Sequence, residues 1–217
     1  MPLPEKICLL SHVDREILLR SVRVVADILR SGGLAIIPTE TVYGIAADVS
    51  CPPAIDKIYQ IKGRDLNKLM SWHISLDEKG EIPPFLKKVA PQGSEDLFHK
   101  LVKQFWPGPL MLILPDPQGG TLGLRCPKHA VFEAISRALG GPMVATSANF
   151  SGQKSPCSVK AINDRILRKV DVIVDAGPTM EQVDSTVLDL TGEEPKILRE
   201  GAVKRECIDL LLRGKME

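Results

Sequence analysis

The sequence predicts an α/β (α+β) fold, a mixed sheet flanked by helices. Two observations carry that prediction. Short apolar runs of strand length alternate with stretches of helical periodicity from one end of the chain to the other. The apolar material is aliphatic: 44% of the 217 residues are hydrophobic but only 4% are aromatic, so Val, Ile and Leu must build the core. No linker long enough to divide the chain is evident, and a single domain over 1–217 is expected, with residues 1–12 as a leader. The formal net charge of +1 excludes a chain-wide basic surface, though not a local patch. The five cysteines form no Cys-x-x-Cys pair, which points to reduced thiols and a cytoplasmic setting. The N-terminus carries no secretory pattern, and the longest apolar runs are too short to cross a membrane.

Ser11 and Asp14 form a candidate capping box. After them, Ile17/Leu18, Val22, Val24/Val25 and Ile28/Leu29 recur with helical spacing, to Arg30. Gly32 and Gly33 supply the C-cap. Leu34–Ile37 reads as a buried strand stopped by Pro38, which cannot donate to a ladder. Pro52-Pro53 open a helix over Ala54–Ile61. Met70–Ile74 alternates as a strand, and residues 79–95 read as a loop with a helical turn. Glu95–Phe105 is helical, Leu110–Leu114 a strand, Leu122–Cys126 another, and Ala130–Leu139 a helix closed by Gly140-Gly141. Met143–Thr146 is a strand, Val159–Arg168 a helix and Val170–Val174 a strand. Val187–Leu190 and Lys196–Leu198 pair around Thr191-Gly192, and Cys207–Leu212 ends the chain as a helix.

Several segments carry chemistry at element ends. Pro38-Thr-Glu-Thr-Val-Tyr-Gly44 crowds hydroxyls and one carboxylate into a half-buried turn, where open α/β sheets place ligands. A capped strand-to-loop transition accounts for the same residues. Lys62, Arg64 and Lys68 share one loop. They suit phosphate, and equally a solvated turn at a helix C-terminus. Arg125 lies between Leu124 and Cys126 and needs either an anionic partner or an exposed edge. Thr146-Ser-Ala-Asn149 ends a strand in hydrogen-bonding groups, and a helix cap would use them as well. Asp184-Ser-Thr186 reads as an Asx or ST turn. No Walker loop, G-x-G-x-x-G or G-x-S-x-G motif occurs, so a bound nucleotide needs another device.

In order, the chain carries Pro38–Gly44, Lys62-Gly-Arg64, Phe105-Trp-Pro-Gly-Pro109, Arg125-Cys-Pro127, Ser147-Ala-Asn-Phe-Ser-Gly152, Asp184-Ser-Thr186 and Ile197-Leu-Arg-Glu-Gly201. This ordered set resembles the YrdC/Sua5 family of threonylcarbamoyl-adenylate synthases, over residues 20–205. The resemblance implies a YrdC/RibB-like twisted mixed sheet with a concave ligand face, in the single-domain form. It implies a nucleotidyltransferase that joins L-threonine, bicarbonate and ATP into threonylcarbamoyl-AMP and releases pyrophosphate. The product serves t6A37 modification of tRNA, through a partner complex that transfers the threonylcarbamoyl group.

The resemblance assigns L-threonine to Thr41, His73, Arg125, Ser147 and Ser185. It assigns ATP to Arg64, Lys68, Thr121, Ala145, Ser155 and Arg199. Lys62, Arg64, Ser147 and Asn149 form the catalytic set, with Mg²⁺ on the ATP phosphates near Asn149. One departure stands out: Asp65-Leu-Asn-Lys-Leu-Met70 replaces a family run with two prolines, which puts a negative charge beside the phosphate loop. A different reading makes the basic residues an RNA-binding face. The low aromatic content opposes it, because base stacking needs aromatic platforms.

Overall fold

The computed structural model describes residues 4–9, 14–68, 70–84, 86, 95–116 and 119–214. Among these residues ten strands form one sheet in the order β1-β8-β2-β3-β7-β4-β6-β5-β9-β10. They are β1 (Glu5–Cys8), β2 (Ala35–Ile37), β3 (Gly44–Asp48), β4 (Ser71–His73), β5 (Leu110–Pro115), β6 (Thr121–Arg125), β7 (Met143–Ser147), β8 (Val172–Asp175), β9 (Thr186–Asp189) and β10 (Lys196–Arg199). The helices are α1 (Arg15–Arg30), α2 (Pro52–Lys62), α3 (Glu95–Phe105), α4 (Ala130–Leu139), α5 (Asp164–Leu167) and α6 (Arg205–Leu212). Parallel pairs such as β4/β6 and β5/β9 sit among antiparallel ones, so the sheet is mixed.

The period-2 alternation of strands decides which layer each residue joins. In one half of the sheet, Ala35 and Ile37 pack with α1 and α4, while Ile36 between them packs with α2 and α5. In the other half, Leu110, Leu112, Leu114, Leu122, Leu124 and Leu188 face the layer of α3 and α6. The residues between them, Met111, Ile113, Gly123, Arg125 and Val187, face a cavity. One strand face thus makes core and the other makes site.

Four local expectations change. Residues 5–8, inside the segment read as a leader, form β1 and pair in parallel with β8. The N-cap of α1 is Asp14 itself, whose carboxylate accepts from the Glu16 N–H; Ser11 lies outside the described residues. The helix expected over Val159–Arg168 is a 3₁₀ turn, Val159–Ala161, followed by α5 with its own cap at Asn163. β3 goes unannounced in the sequence because Gly44, Ala46 and Ala47 are weak strand formers. It forms because β2 and β7 bond it on both sides, and Gly44 lies so close to β7 that an added Cβ would sit 3.2 Å from the Thr146 carbonyl oxygen. The loop expected over residues 79–95 falls partly outside the described residues.

Candidate active site

A cavity of about 310 Å³ opens on the face of β4, β6, β5 and β9 opposite the α3/α6 layer. The register places its polar groups: His73 of β4 stands beside Arg125 of β6, and Arg125 beside Met111 of β5. Of the residues expected at a site, Arg64, His73, Thr121, Arg125, Ala145, Ser147, Ser185 and Arg199 all line this one cavity. They come from four strands, β4, β6, β7 and β10, and two loops that are far apart in sequence. The site therefore spreads across a sheet face and is not confined to strand ends.

Arg125 is 3% exposed, on a strand with neighbours on both sides. Of its two sequence readings, the exposed edge is therefore excluded. Its Nη2 donates to Thr41 Oγ1 at 2.8 Å and lies 2.9 Å from Glu40 Oε1. Thr41 is wholly buried and meets the cavity through Arg125. His73 is buried beside Arg125, with its Nδ1 3.4 Å from the Ser71 carbonyl oxygen. Burial first, and the Arg125 charge second, push its pKa down to about 3, so it stays a neutral imidazole at neutral pH. His129 is also held below the ordinary value by burial, which the Glu40 charge partly opposes.

Lys62 does not line the cavity. Gly63, at φ +57, ends α2 behind it. The Lys62 ammonium donates to the carbonyls of Ser147 and Asn149, the second at 2.7 Å, and lies 3.4 Å from Asn149 Oδ1. Burial and the neighbouring Arg64 charge bring its pKa down to about 8, against a smaller lift from Asp184. Lys62 thus clamps the Ser147–Asn149 turn. Asn149 spends its amide N–H groups on the Gln153 and Phe150 carbonyls, at 2.6 and 3.1 Å. Ser155 donates to Asp184 Oδ1 at 2.8 Å. Arg199 is braced by the Ser185 carbonyl at 3.0 Å and the Ser185 hydroxyl at 3.2 Å. Lys68 is exposed and outside the lining, while its carbonyl accepts from Arg64 Nε at 2.9 Å.

Asp184, Thr39, Ser71 and Thr146, none of which the resemblance assigned to a ligand, also line the cavity. The Asx or ST turn expected at Asp184 is replaced by the bond to Ser155, and Thr186 donates to the Val203 carbonyl at 2.6 Å. The apolar walls, Met70, Met111, Ile113 and Val187, were also unassigned. Strand alternation carried a signal for Met111 and Ile113, since both fall out of phase with the Leu110, Leu112 and Leu114 core positions. Among the described residues no group of three or more His, Cys, Asp or Glu side chains comes together as a metal site.

A mixed α/β sheet with guanidinium, hydroxyl and apolar groups in one hollow on its face has the chemistry to receive small anionic molecules. More narrowly, the chain belongs to the Sua5/YciO/YrdC family, whose model, described as telomere recombination, matches residues 27–201. It is similar to the threonylcarbamoyl-AMP synthase of Pyrococcus abyssi, with 36% identity over 200 residues, 88% of this chain and 57% of that protein. The Bacillus subtilis threonylcarbamoyl-AMP synthase is 34% identical over 197 residues, 86% of this chain and 55% of that protein. The chain thus spans little more than half the length of these two relatives. The crystal structure of P. abyssi Sua5 complexed with L-threonine superposes with a TM-score of 0.83 at 30% identity, covering 95% of this chain and 60% of that one. Escherichia coli YciO shares the fold, with a TM-score of 0.73 at 24% identity over 94% of this chain and 98% of its own.

Proposed function

We propose that this chain is an L-threonylcarbamoyladenylate synthase, a nucleotidyltransferase acting on L-threonine, bicarbonate and ATP. The observation that carries the reading is the meeting of Arg125, Arg64 and Arg199 with the Ser147 and Ser185 hydroxyls in one cavity. Family membership and the names of the relatives support it.

Arg125 takes the amino-acid carboxylate as a planar fork, and Thr41 acts through it. His73, Ser147 and Ser185 hold the rest of the amino acid. Arg64 and Arg199 take the nucleotide phosphates, with Thr121, Ser155 and the Ala145 backbone beside them and Lys68 at the outer edge. The neutral amine of threonine adds to the bicarbonate carbon, and loss of the carbon's hydroxyl together with one amine proton, as water, leaves a carbamate. A carbamate oxygen then bonds the α-phosphorus as the bond to pyrophosphate breaks. The carbamate is short-lived in water, so holding both partners in one hollow contributes more than a strong base would. Arg64 stabilises the charge that grows on the phosphates, and the Lys62 clamp fixes the Ser147–Asn149 turn against which they lie.

Among the described residues no group of three or more His, Cys, Asp or Glu side chains comes together, while the Asn149 amide nitrogen is engaged within its own turn and its Oδ1 meets the Lys62 ammonium at 3.4 Å. A divalent ion in this reaction belongs to the ATP phosphates. The labile product calls for a partner that moves threonylcarbamoyl to tRNA. Among the described residues no helix is long and apolar enough to cross a membrane, which fits the proposed cytoplasmic setting.

The test is pyrophosphate release from ATP. It should require both L-threonine and bicarbonate, and release that persists without threonine would reject the reading. Arg125→Ala should raise the threonine requirement far more than Arg125→Lys, and wild-type kinetics in Arg125→Ala would remove the clamp.

A further inference from the structure

Glu40 is the one acid of the Pro38–Gly44 turn, and none of the steps above uses it. It is 4% exposed and lies outside the cavity lining, directly behind Arg125. Its Oε1 is 2.9 Å from Arg125 Nη2 as an ion pair, and neither carboxylate oxygen has a hydrogen-bond partner among the described residues. Charge and proximity hold the pair. The Arg125 Nε is also buried without a hydrogen-bond partner. The turn is fixed in place: the Glu181 N–H donates to the Glu40 carbonyl at 2.9 Å, and the Thr179 hydroxyl to the Thr41 carbonyl at 2.8 Å. Arg125 therefore faces the cavity on one side and a fixed carboxylate on the other.

A buried guanidinium without a countercharge draws in any anion that fits, because little solvent screens it. The proposed reaction brings several anions to one hollow: an amino-acid carboxylate, bicarbonate, ATP and pyrophosphate. A phosphate group carries close to two negative charges, and a second fixed carboxylate a few ångströms away opposes each of them. A single carboxylate meets half that opposition, and the amino acid has further contacts to offset it.

Resting on the reading of Arg125 as the carboxylate clamp, we propose that Glu40 is a specificity-determining residue. It neutralises the Arg125 subsite so that a monocarboxylate enters and phosphate is turned away. Discrimination here comes from a built-in repulsive element and not only from contacts to the right ligand.

The experiment is calorimetric titration of the full chain with L-threonine, alone and in the presence of inorganic phosphate, for wild type and Glu40→Gln. The amide keeps the shape and an acceptor for Arg125 but removes the charge. Phosphate should compete with threonine at least about tenfold more strongly in Glu40→Gln, and threonine should bind that variant no more weakly than the wild type. Equal phosphate competition in both proteins would overturn the proposal. So would weakened threonine binding with phosphate unchanged, which would make Glu40 a mere support for Arg125. If the wild type binds no threonine, the functional reading itself fails, and the two failures are thereby told apart. Should Glu40→Gln not fold, Glu40→Asp draws the charge back by one methylene. It should bind phosphate roughly threefold more tightly than wild type, and an unchanged value would again overturn the proposal.

Discussion

Replacing Lys62 with methionine separates stability from activity at this site. The side chain is 3% exposed, and its ammonium serves the Ser147 and Asn149 carbonyls. Two charge-assisted hydrogen bonds to buried carbonyls contribute about 3–5 kcal/mol together. Against this stands the burial of a charge. The fall in pKa from 10.5 to about 8 corresponds to roughly 3 kcal/mol of preference for the neutral form in the folded chain. Methionine has similar length and no charge, so it forfeits the first quantity and recovers the second. The net loss of stability should be small, about 0–2 kcal/mol. Activity should fall much further, because the Ser147 and Asn149 carbonyls then lose the ammonium that ties them to α2 beside the cavity. Urea unfolding gives the first quantity, and threonine- and bicarbonate-dependent pyrophosphate release gives the second. A loss of more than about 4 kcal/mol would mean that the charge burial costs little. Retention of wild-type activity would mean that the clamp is dispensable.

The remaining predictions concern pH and packing. The Lys62 pKa is depressed on folding, so between pH 8 and 10.5 the unfolded chain holds more protons, and this group's contribution to stability rises with pH there. Activity should nevertheless decline above about pH 8 as the clamp loses a proton, and the alkaline limb should disappear from the residual activity of Lys62→Met. His73, whose pKa burial lowers from 6.5 to about 3, contributes stability that is complete above pH 6.5 and is lost as pH falls toward 3. Urea midpoints of wild type should therefore fall more steeply over that range than those of His73→Gln; parallel curves would contradict a buried neutral imidazole. Gly201→Ala should disturb both stability and activity, since its Cβ would meet the Asp184 carbonyl oxygen and lie 2.6 Å from the Ser185 carbonyl carbon. An unchanged melting temperature would show that β10 gives way freely.

What the sequence determined by itself is the list of parts. Helical spacing defined α1, α3 and α4 because each buries one stripe against the sheet, and a one-sided stripe is a local pattern. The apolar run Leu110–Leu114 was legible as a strand, but which of its faces makes core and which lines the cavity came from the structure. Arg125 was narrowed to an anionic partner or an exposed edge, since an arginine cannot stay buried and unpaired, and its burial in the sheet chose the first. Its partner was not legible, because Glu40 lies 85 positions earlier and only the strand order brings the two within 2.9 Å. Tertiary structure likewise decided that β3 exists, that Lys62 binds the Ser147 and Asn149 carbonyls, and that Asp184 enters the cavity. Each of these depends on distances across the sheet. Strand propensity and residue type act over a few positions, whereas register and crossover place side chains far apart in the chain on the same face.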